Sequence, residues 1–249
     1  MMRIILTSII CLLVLGIQAQ EITTDRPDQT ESPAVLAPKS FQFETGYLVQ
    51  ENGDDLREIL LPTTLFRIGF LENFELRVVH ENALHKRTGT AESAVQGFND
   101  LQFGFKWQLF EGANENFQLA LISHAVLPTG TKPEFSLDNY GVINKIAFGQ
   151  DLGKDWSYGI NLNYDYLDAH SIGYTLAVGY GITSKLGIYV EAFGNKSEDE
   201  DYEGFYDAGM TYLLEENIQL DFSFGSGLNT DMNYLSVGLS WLFVNTDEN

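Results

Sequence analysis

A set of charged residues occupies alternate positions within stretches in which polar and apolar side chains alternate. Most basic members precede most acidic members along the chain. They are Glu44, Arg67, Glu75, Arg77, Lys106, Lys145, Asp165, Glu191, Asp207 and Asp221. An ionised group that faces a narrow interior must be hydrated or paired with an opposite charge. We therefore expect these residues either to line a wet pore crossed by a transverse field or to form a salt-bridged plug.

Strands must carry these side chains, because the alternation has the period of two that is typical of a half-buried β-strand. Near the C-terminus, Leu235, Val237 and Leu239 share one face, while Ser236 and Gly238 share the other. Breaks rich in Gly, Asn, Asp and Glu divide the chain into about twelve such segments of roughly ten residues, a length that suits tilted membrane strands. The sequence therefore predicts an all-β fold, a transmembrane antiparallel up-and-down β-barrel over residues 40–249.

A soluble lipocalin-like barrel or β-sandwich is the alternative fold. Its interior would be built from the apolar face of each strand, and the inward set here is too polar to form such a core. The alternation is weakest around Pro62 and Asn144, where the outward face would carry a proline or an amide. The membrane barrel is therefore favoured.

The first residues, 1–19, resemble a secretory signal peptide. Arg3 supplies the basic start, residues 4–16 are apolar, and Ala19 completes a plausible cleavage site before Gln20. The apolar run is short for a transmembrane anchor, which needs about 20 residues. We therefore predict an exported protein of the cell outer membrane, with its signal peptide cleaved near Ala19.

Residues 20–39 hold three prolines and several acids but almost no periodicity. This composition predicts an extended periplasmic segment that precedes the first strand. The one cysteine, Cys11, lies in the predicted signal peptide, so a mature chain would hold neither a disulfide nor a thiol nucleophile.

The formal net charge is −21 and the isoelectric point is near 4.3. Binding to a phosphate backbone requires Lys and Arg to displace counterions, so this balance excludes nucleic acid as a partner. The length suits one large β domain, and we predict a monomer.

The predicted connections alternate in length. Short ones lie near residues 71–73, 152–154, 183–185 and 215–217, and longer polar ones lie at 51–58, 81–99, 130–139, 195–203 and 225–233. Outer-membrane barrels have short periplasmic turns and longer external loops. We therefore place both termini in the periplasm.

The segment from Ser236 to Phe243 looks like the C-terminal assembly signal of outer-membrane barrels, with a polar residue, a glycine and two spaced hydrophobic residues. It departs from the usual form because it ends before the last residues of the chain. The alternative is any amphipathic final strand. The predicted partners are the barrel-assembly machinery, outer-membrane lipid and lipopolysaccharide, and a small-molecule solute.

No recognisable catalytic motif surrounds the histidines, which are His80, His85, His124 and His170. His170 lies in a predicted loop beside Asp168, so an Asp-His pair is conceivable. The acidic run at 198–203 could chelate divalent cations, but a solvated loop is the favoured interpretation. We predict no enzyme, no metal site and no cofactor.

Residues 22–33 read ITTDRPDQTESP and residues 41–47 read FQFETGY. This opening resembles that of the outer-membrane transporter family of the phenol-degradation (MetA-pathway) type. Asp25, Arg26, Pro27 and Glu31 are the distinctive positions. The resemblance implies a role in transport and is weak evidence for phenol as the substrate.

Arg26 lies between two acids, Asp25 and Glu31, in a segment that proline stiffens. Such a segment could enter the barrel and pair with its interior charges as a plug or gate. The alternative is a tail that orients the first strand.

We therefore predict a passive transporter or channel for small molecules, with aromatic compounds among the candidate solutes. About twelve strands leave a passage between the filled interior of small barrels and the aqueous channel of large ones. The alternative is a non-conducting structural or surface-interaction barrel whose acidic loops contact ions, lipopolysaccharide or other cells.

Overall fold

The computed structural model of the protein describes residues 22–53, 56–87, 94–112, 117–198 and 200–244. The predicted signal peptide and cleavage site, Asp199 of the acidic run and the C-terminal residues 245–249 lie outside these ranges. Among the described residues, no helix has the length and apolar character needed to cross a membrane.

The described chain is built almost entirely from β-strands, joined by one short 3-10 turn at Pro133–Phe135. The strands are β1 (Phe41–Asn52), β2 (Leu56–Leu71), β3 (Phe74–Arg87), β4 (Val95–Phe98), β5 (Leu101–Glu111), β6 (Phe117–Leu127), β7 (Gly141–Leu152), β8 (Trp156–Leu167), β9 (Ala169–Gly181), β10 (Leu186–Ser197), β11 (Glu203–Glu215), β12 (Ile218–Gly227) and β13 (Met232–Phe243).

The strands form one closed antiparallel barrel, which confirms the predicted fold class. β4 and β5 both pair with β3 and together fill one position in the wall, so the barrel has 12 strand positions. Closure comes from β1, which pairs with β13 from Phe41 opposite Phe243 to Asn52 opposite Met232. A closed barrel leaves no unpaired strand edge, which a lipid environment requires.

Alternation places apolar side chains outside and polar side chains inside the wall. On β13, Leu235 is 44% exposed and Trp241 is 40% exposed, whereas Ser236 on the other face is 2% exposed. An apolar exterior around a polar interior is the arrangement of a transmembrane barrel and the inverse of a soluble one.

The connections lie at two opposite ends of the barrel, which we call the turn end, with those at residues 72–73 and 216–217, and the loop end, with the long connection between β6 and β7. Their lengths do not alternate strictly as predicted, because β8 and β9 are joined by Asp168 alone at the loop end. Both described chain ends lie at the turn end, as Phe41 and Phe243 show by pairing. The predicted loop at 81–99 is wrong in extent, because β3 continues to Arg87 and β4 begins at Val95. Pairing with neighbouring strands holds these polar residues in β-structure, although their composition indicates a loop.

The irregularity expected around Pro62 is a bulge. The pairing of β2 with β3 skips from Leu60 to Thr63, and Pro62 lies in the gap. Proline has no N–H to give to the strand ladder, so a bulge accommodates it at least cost.

The connection between β6 and β7 folds inward at the loop end. Asp100 accepts hydrogen bonds from the backbone N–H groups of Thr129, Gly130 and Leu137 at 2.7 to 2.8 Å. Phe135 is buried and lies edge-on to His85, with ring centroids 4.7 Å apart. This loop therefore narrows the mouth on the side of β3 and β6.

Candidate functional site

Residues 22–39, which we call the plug segment, enter the barrel at the turn end and return to it. Ile22 and Leu36 pack together on Leu242 near that end. Between them, Gln29 reaches Glu191 in the middle of β10, where its backbone N–H donates to the carboxylate at 2.8 Å. The segment is therefore a hairpin-like insertion into the lumen.

Two facing glycines in the wall admit the side chain of Arg26. Gly46 on β1 lies directly opposite Gly238 on β13. A Cβ atom on Gly46 would lie 2.5 Å from Nη2 of Arg26, and one on Gly238 would overlap the same guanidinium. Only a glycine permits this approach of the wall to the plug segment.

Asp25 of the plug segment binds three basic residues of the wall. Nζ of Lys106 lies 2.8 Å from Oδ1, Nη1 of Arg77 lies 2.6 Å from Oδ2, and Nη1 of Arg67 lies 3.4 Å from Oδ2. Burial alone would raise the pKa of Asp25, but the charges of Arg67 and Lys106 hold it well below the usual range. Asp25 is therefore a buried carboxylate that compensates a cluster of cations.

Arg67 is the most heavily bonded of these cations. Its Nε and Nη2 atoms donate to the two carboxylate oxygens of Glu75 at 2.8 and 2.9 Å, and Nη1 donates to Glu44 at 3.1 Å. It lies directly opposite Arg77 on the neighbouring strand. Two like charges placed in this way repel each other, and the acids that pair with both arginines offset this repulsion.

Glu31 joins the plug segment to a second part of the basic wall. Its carboxylate lies 2.5 Å from Nη2 of Arg77 and 2.6 Å from Nζ of Lys145. Its backbone N–H donates to Oδ1 of Asn161 at 2.7 Å, and its carbonyl accepts from Nδ2 of Asn161 at 3.0 Å. Burial would raise the pKa of Glu31, but Arg77 and Lys145 lower it to about 2.

The opposite face of the plug segment meets the acidic wall. Arg26 pairs with Asp221 at 3.1 Å and also donates to the hydroxyls of Ser236 and Thr63. Thr30 donates to Glu191 at 2.5 Å. The inserted segment thus contacts both walls, and its acids pair with the basic wall while Arg26 pairs with Asp221 of the acidic wall.

Asp28 is an exception in this arrangement, because it adds a carboxyl to the acidic side. Burial raises its pKa well above the usual value, and the neighbouring carboxylate of Glu191 raises it further. Asp207 and Asp25 act in the same direction. The inserted state therefore favours the protonated form of Asp28.

Most of the predicted interior charges meet the plug segment directly or in one further contact. Asp165 does not: it is half-buried, lies toward the loop end of β8 and accepts from the backbone N–H of Asn144 at 3.2 Å. Asp207 bonds instead to the hydroxyl of Tyr234 at 2.5 Å. The structure gives the contacts of these charged residues, and their role in lining a pore is a proposal.

The sequence interpretation missed several uncharged interior residues that hold the plug segment. They are Gln42, Asn161, Thr175 and Gln219 on the wall, and His124, whose Nε2 accepts from Nε of Arg77. Their signal was available, since each falls on the inward positions of its strand. Amides and hydroxyls are common on that face, so polarity alone does not distinguish contact residues.

Asp168 and His170 do not form the Asp-His pair that the sequence made conceivable. Asp168 accepts from the backbone N–H groups of Asp138 and Asn139, and His170 bonds through Nδ1 to the hydroxyl of Tyr164 at 2.9 Å. His170 also lies on β9 rather than in a loop, because the chain reverses tightly at Asp168. Both residues therefore serve a turn.

Two cavities lie on either side of the plug segment. The lower cavity, toward the turn end, has about 400 Å³ and is lined by residues of the plug segment and by the glycine-rich ends of β7 to β10. The upper cavity, toward the loop end, has about 550 Å³ and lies between β1, β10, β11 and β13. Arg26, Pro27, Asp28 and Thr30 line the lower cavity and Gln29 lines the upper, so this tip separates the two.

The chain has recognisable relatives in sequence family and in fold. A family model described as "Putative MetA-pathway of phenol degradation" matches residues 24–242, a range that includes most of the plug segment. A crystal structure of an outer membrane channel from Pseudomonas putida F1 has a TM-score of 0.72 and 12% identity, covering 84% of this chain and 97% of that chain.

The KdgM porin in complex with disordered oligogalacturonate has a TM-score of 0.58 and 13% identity, covering 82% of this chain and 99% of that chain. The NanC porin has a TM-score of 0.57 and 12% identity, covering 81% and 98%. At such identities these likenesses show a shared fold, that of outer-membrane barrels. No curated protein sequence matches this chain.

Proposed function

Because this chain belongs to the family described as the MetA-pathway of phenol degradation, and because its barrel encloses two cavities parted by an inserted segment, we propose that it is a passive channel for small molecules across the outer membrane. The plug segment closes the passage in the conformation described here. Its displacement opens the channel. The neighbouring folds named as a channel and porins support this proposal.

The separation of the cavities by the plug tip is the observation that carries the proposal. A structural barrel would be expected to fill its interior with wall side chains, as the smallest barrels do. Here the interior is filled by a separate segment that is joined to β1 by a single connection at Ser40. A filler of this kind can leave without breaking the strand ladder.

The non-conducting alternative is favoured by a different observation, the density of buried ion pairs around Asp25 and Glu31. Such a network would stiffen a barrel that never opens. The two proposals differ in what happens when the plug segment is removed.

Removal of residues 22–38 is expected to convert a silent barrel into a conducting one. The measurement is single-channel current in planar bilayers for the intact protein and for the deletion variant, together with swelling of liposomes in small sugars. Retained heat-modifiable gel mobility is the control for a folded barrel. A folded deletion variant without current or swelling would contradict the channel and favour the structural role.

Raising the pH above the ordinary range of a carboxyl pKa is expected to raise the conductance of the intact protein. The raised pKa of Asp28 means that the inserted state is stabilised at low pH and loses that stabilisation as pH rises through it. The lowered pKa values of Asp25 and Glu31 act at the acid limit, where the inserted state loses stability as pH falls below the ordinary range of a carboxyl pKa and through about 2 for Glu31.

The comparison variant for this pH dependence is Asp28→Asn. The ionisable groups around Asp28 are Glu191, Asp207, Tyr189 and Asp25, with Arg26 two positions along the segment. Removing the carboxyl removes the repulsion, so the rise in current with increasing pH should shrink. An equal rise in both proteins would exclude Asp28 as its source.

The finer statements on location and partners are also proposals. We propose cleavage near Ala19, assembly through the segment from Ser236 to Phe243, contact with lipopolysaccharide at the loop end and a monomeric barrel. The apolar exterior of β13, with Trp241 and Phe243 stacked at a ring distance of 4.5 Å, supports a membrane contact at the turn end.

A further inference from the structure

The upper cavity carries an apolar patch on a wall that is otherwise polar. Its members point inward from four strands and are Leu48, Phe193, Phe205, Met232 and Tyr234. The rings of Phe193 and Phe205 stack with centroids 5.0 Å apart and an interplanar angle of 18°. Phe205, Met232 and Tyr234 are only 7 to 8% exposed, so the patch is a packed apolar wall of the cavity against which an apolar solute can bury surface.

The charge around this patch has one sign. Glu200, Glu203 and Asp231 line the upper cavity, and its described lining includes neither Lys nor Arg. The basic wall at Arg67, Arg77 and Lys106 is engaged with the plug segment instead. An anion that entered the upper cavity would therefore meet only like charges.

Beneath the patch lies a pair of neighbouring carboxyls. Asp207 is 2% exposed, and its Oδ2 atom accepts from the hydroxyl of Tyr234, which lines the cavity. The carboxyl of Asp207 also lies within hydrogen-bonding distance of the carboxyl of Glu191, which is directly opposite on β10. This pair adds negative potential below the rim acids, which favours a cation in the cavity.

From the stacked rings, the rim acids and the carboxyl pair below them, we propose that the upper cavity is a binding site for small organic cations that carry an aromatic or aliphatic body. The rings receive the body and the cation, and the carboxylates balance its charge. The volume of about 550 Å³ lies within the range of small-molecule sites, roughly 300–1,000 Å³. This site deepens the proposed function, on which its role in transport rests, by naming a solute class.

Binding of matched probes to the full-length protein in detergent tests the proposal. Benzyltrimethylammonium, benzyl alcohol and benzoate share a ring and differ in charge, and isothermal titration calorimetry measures each. The cation is expected to bind at least about tenfold more tightly than benzoate, with the alcohol between them. Equal or tighter binding of benzoate, or no binding of the cation, would overturn the assignment.

Two variants locate the site within the cavity. Phe205→Leu keeps an apolar side chain but removes a ring, and it is expected to weaken cation binding about fivefold to tenfold while changing the binding of benzyl alcohol less. Glu203→Gln keeps the shape and removes a charge, and it should weaken the cation alone. If both variants fold and neither weakens cation binding, the cation binds elsewhere.

Phe224→Leu is the matched control, because Phe224 lies on the outer face of β12 and is exposed. This substitution removes the same aromatic ring from the opposite face of the wall, so it should leave the affinity for the cation unchanged. Binding is measured without transport, so a failure here leaves the channel proposal standing. Conversely, a barrel that binds the cation but never conducts would refute the channel and retain the site.

Discussion

Asp25→Asn is expected to release the plug segment and raise the conductance of the barrel. The substitution removes the carboxylate that meets Lys106, Arg77 and Arg67 at 2.8, 2.6 and 3.4 Å. Removing one partner of a buried ion pair costs about 3–5 kcal/mol, because the remaining charge is left uncompensated. If that cost falls on the inserted state, its population relative to the displaced state drops by about a hundredfold or more. Single-channel recording measures the open fraction directly.

The matched variant for Asp25→Asn is Asp28→Asn, which makes the same chemical change three positions along the segment. Asp28 faces Glu191 and Asp207 rather than cations, so neutralising it should hold the plug segment more firmly. The two substitutions are therefore expected to change the open fraction in opposite directions. Equal effects of the two would show that the segment is held by something other than its charge pattern.

Arg67→Met is expected to destabilise the barrel more than any other single change of a wall residue. The guanidinium binds Glu75 through two hydrogen bonds and Glu44 through one, and all three side chains are fully buried. Without it, the two acids lose their main counter-charge, and the free energy of unfolding should fall by about 3–5 kcal/mol. Urea titration of the protein in lipid vesicles, followed by gel mobility, measures this change.

Arg57→Met on the same strand is the comparison. Arg57 pairs with Glu51 near the loop end, where both side chains are exposed. An exposed pair contributes about 0–1 kcal/mol, so the unfolding transition should hardly move. A loss as large as that of Arg67→Met would mean that charge on β2, rather than burial of the pair, determines stability.

These results would bear on how a gated barrel can be both stable and able to open. The strand ladder is complete without the plug segment, because every strand position pairs with its two neighbours. The segment instead completes the charge balance of the interior. Stability of the barrel and occupancy of the passage are therefore separable, and the two variants measure them separately.

The sequence alone was sufficient to predict the wall of the barrel. Period-two alternation assigns each strand residue to one face, and a closed barrel is the β-architecture that satisfies all backbone groups in lipid. The inward positions of Arg67, Arg77 and Lys106 follow from the same period, without knowledge of their partners. The run from Asp25 to Glu31 was recognised differently, through its resemblance to the opening of a transporter family, because this segment has almost no periodicity.

Only the tertiary structure decided what these charges bind. The sequence interpretation left open a field across a wet pore and a plug of wall residues paired with one another, and it left open whether the segment around Arg26 enters the barrel or only orients the first strand. In the structure this segment lies between the walls and pairs with each. That outcome depends on contacts between residues far apart in the chain, such as Arg26 with Asp221, and no local pattern encodes them. The stacking of Phe193 on Phe205 belongs to the same class, because it depends on the register of β10 with β11.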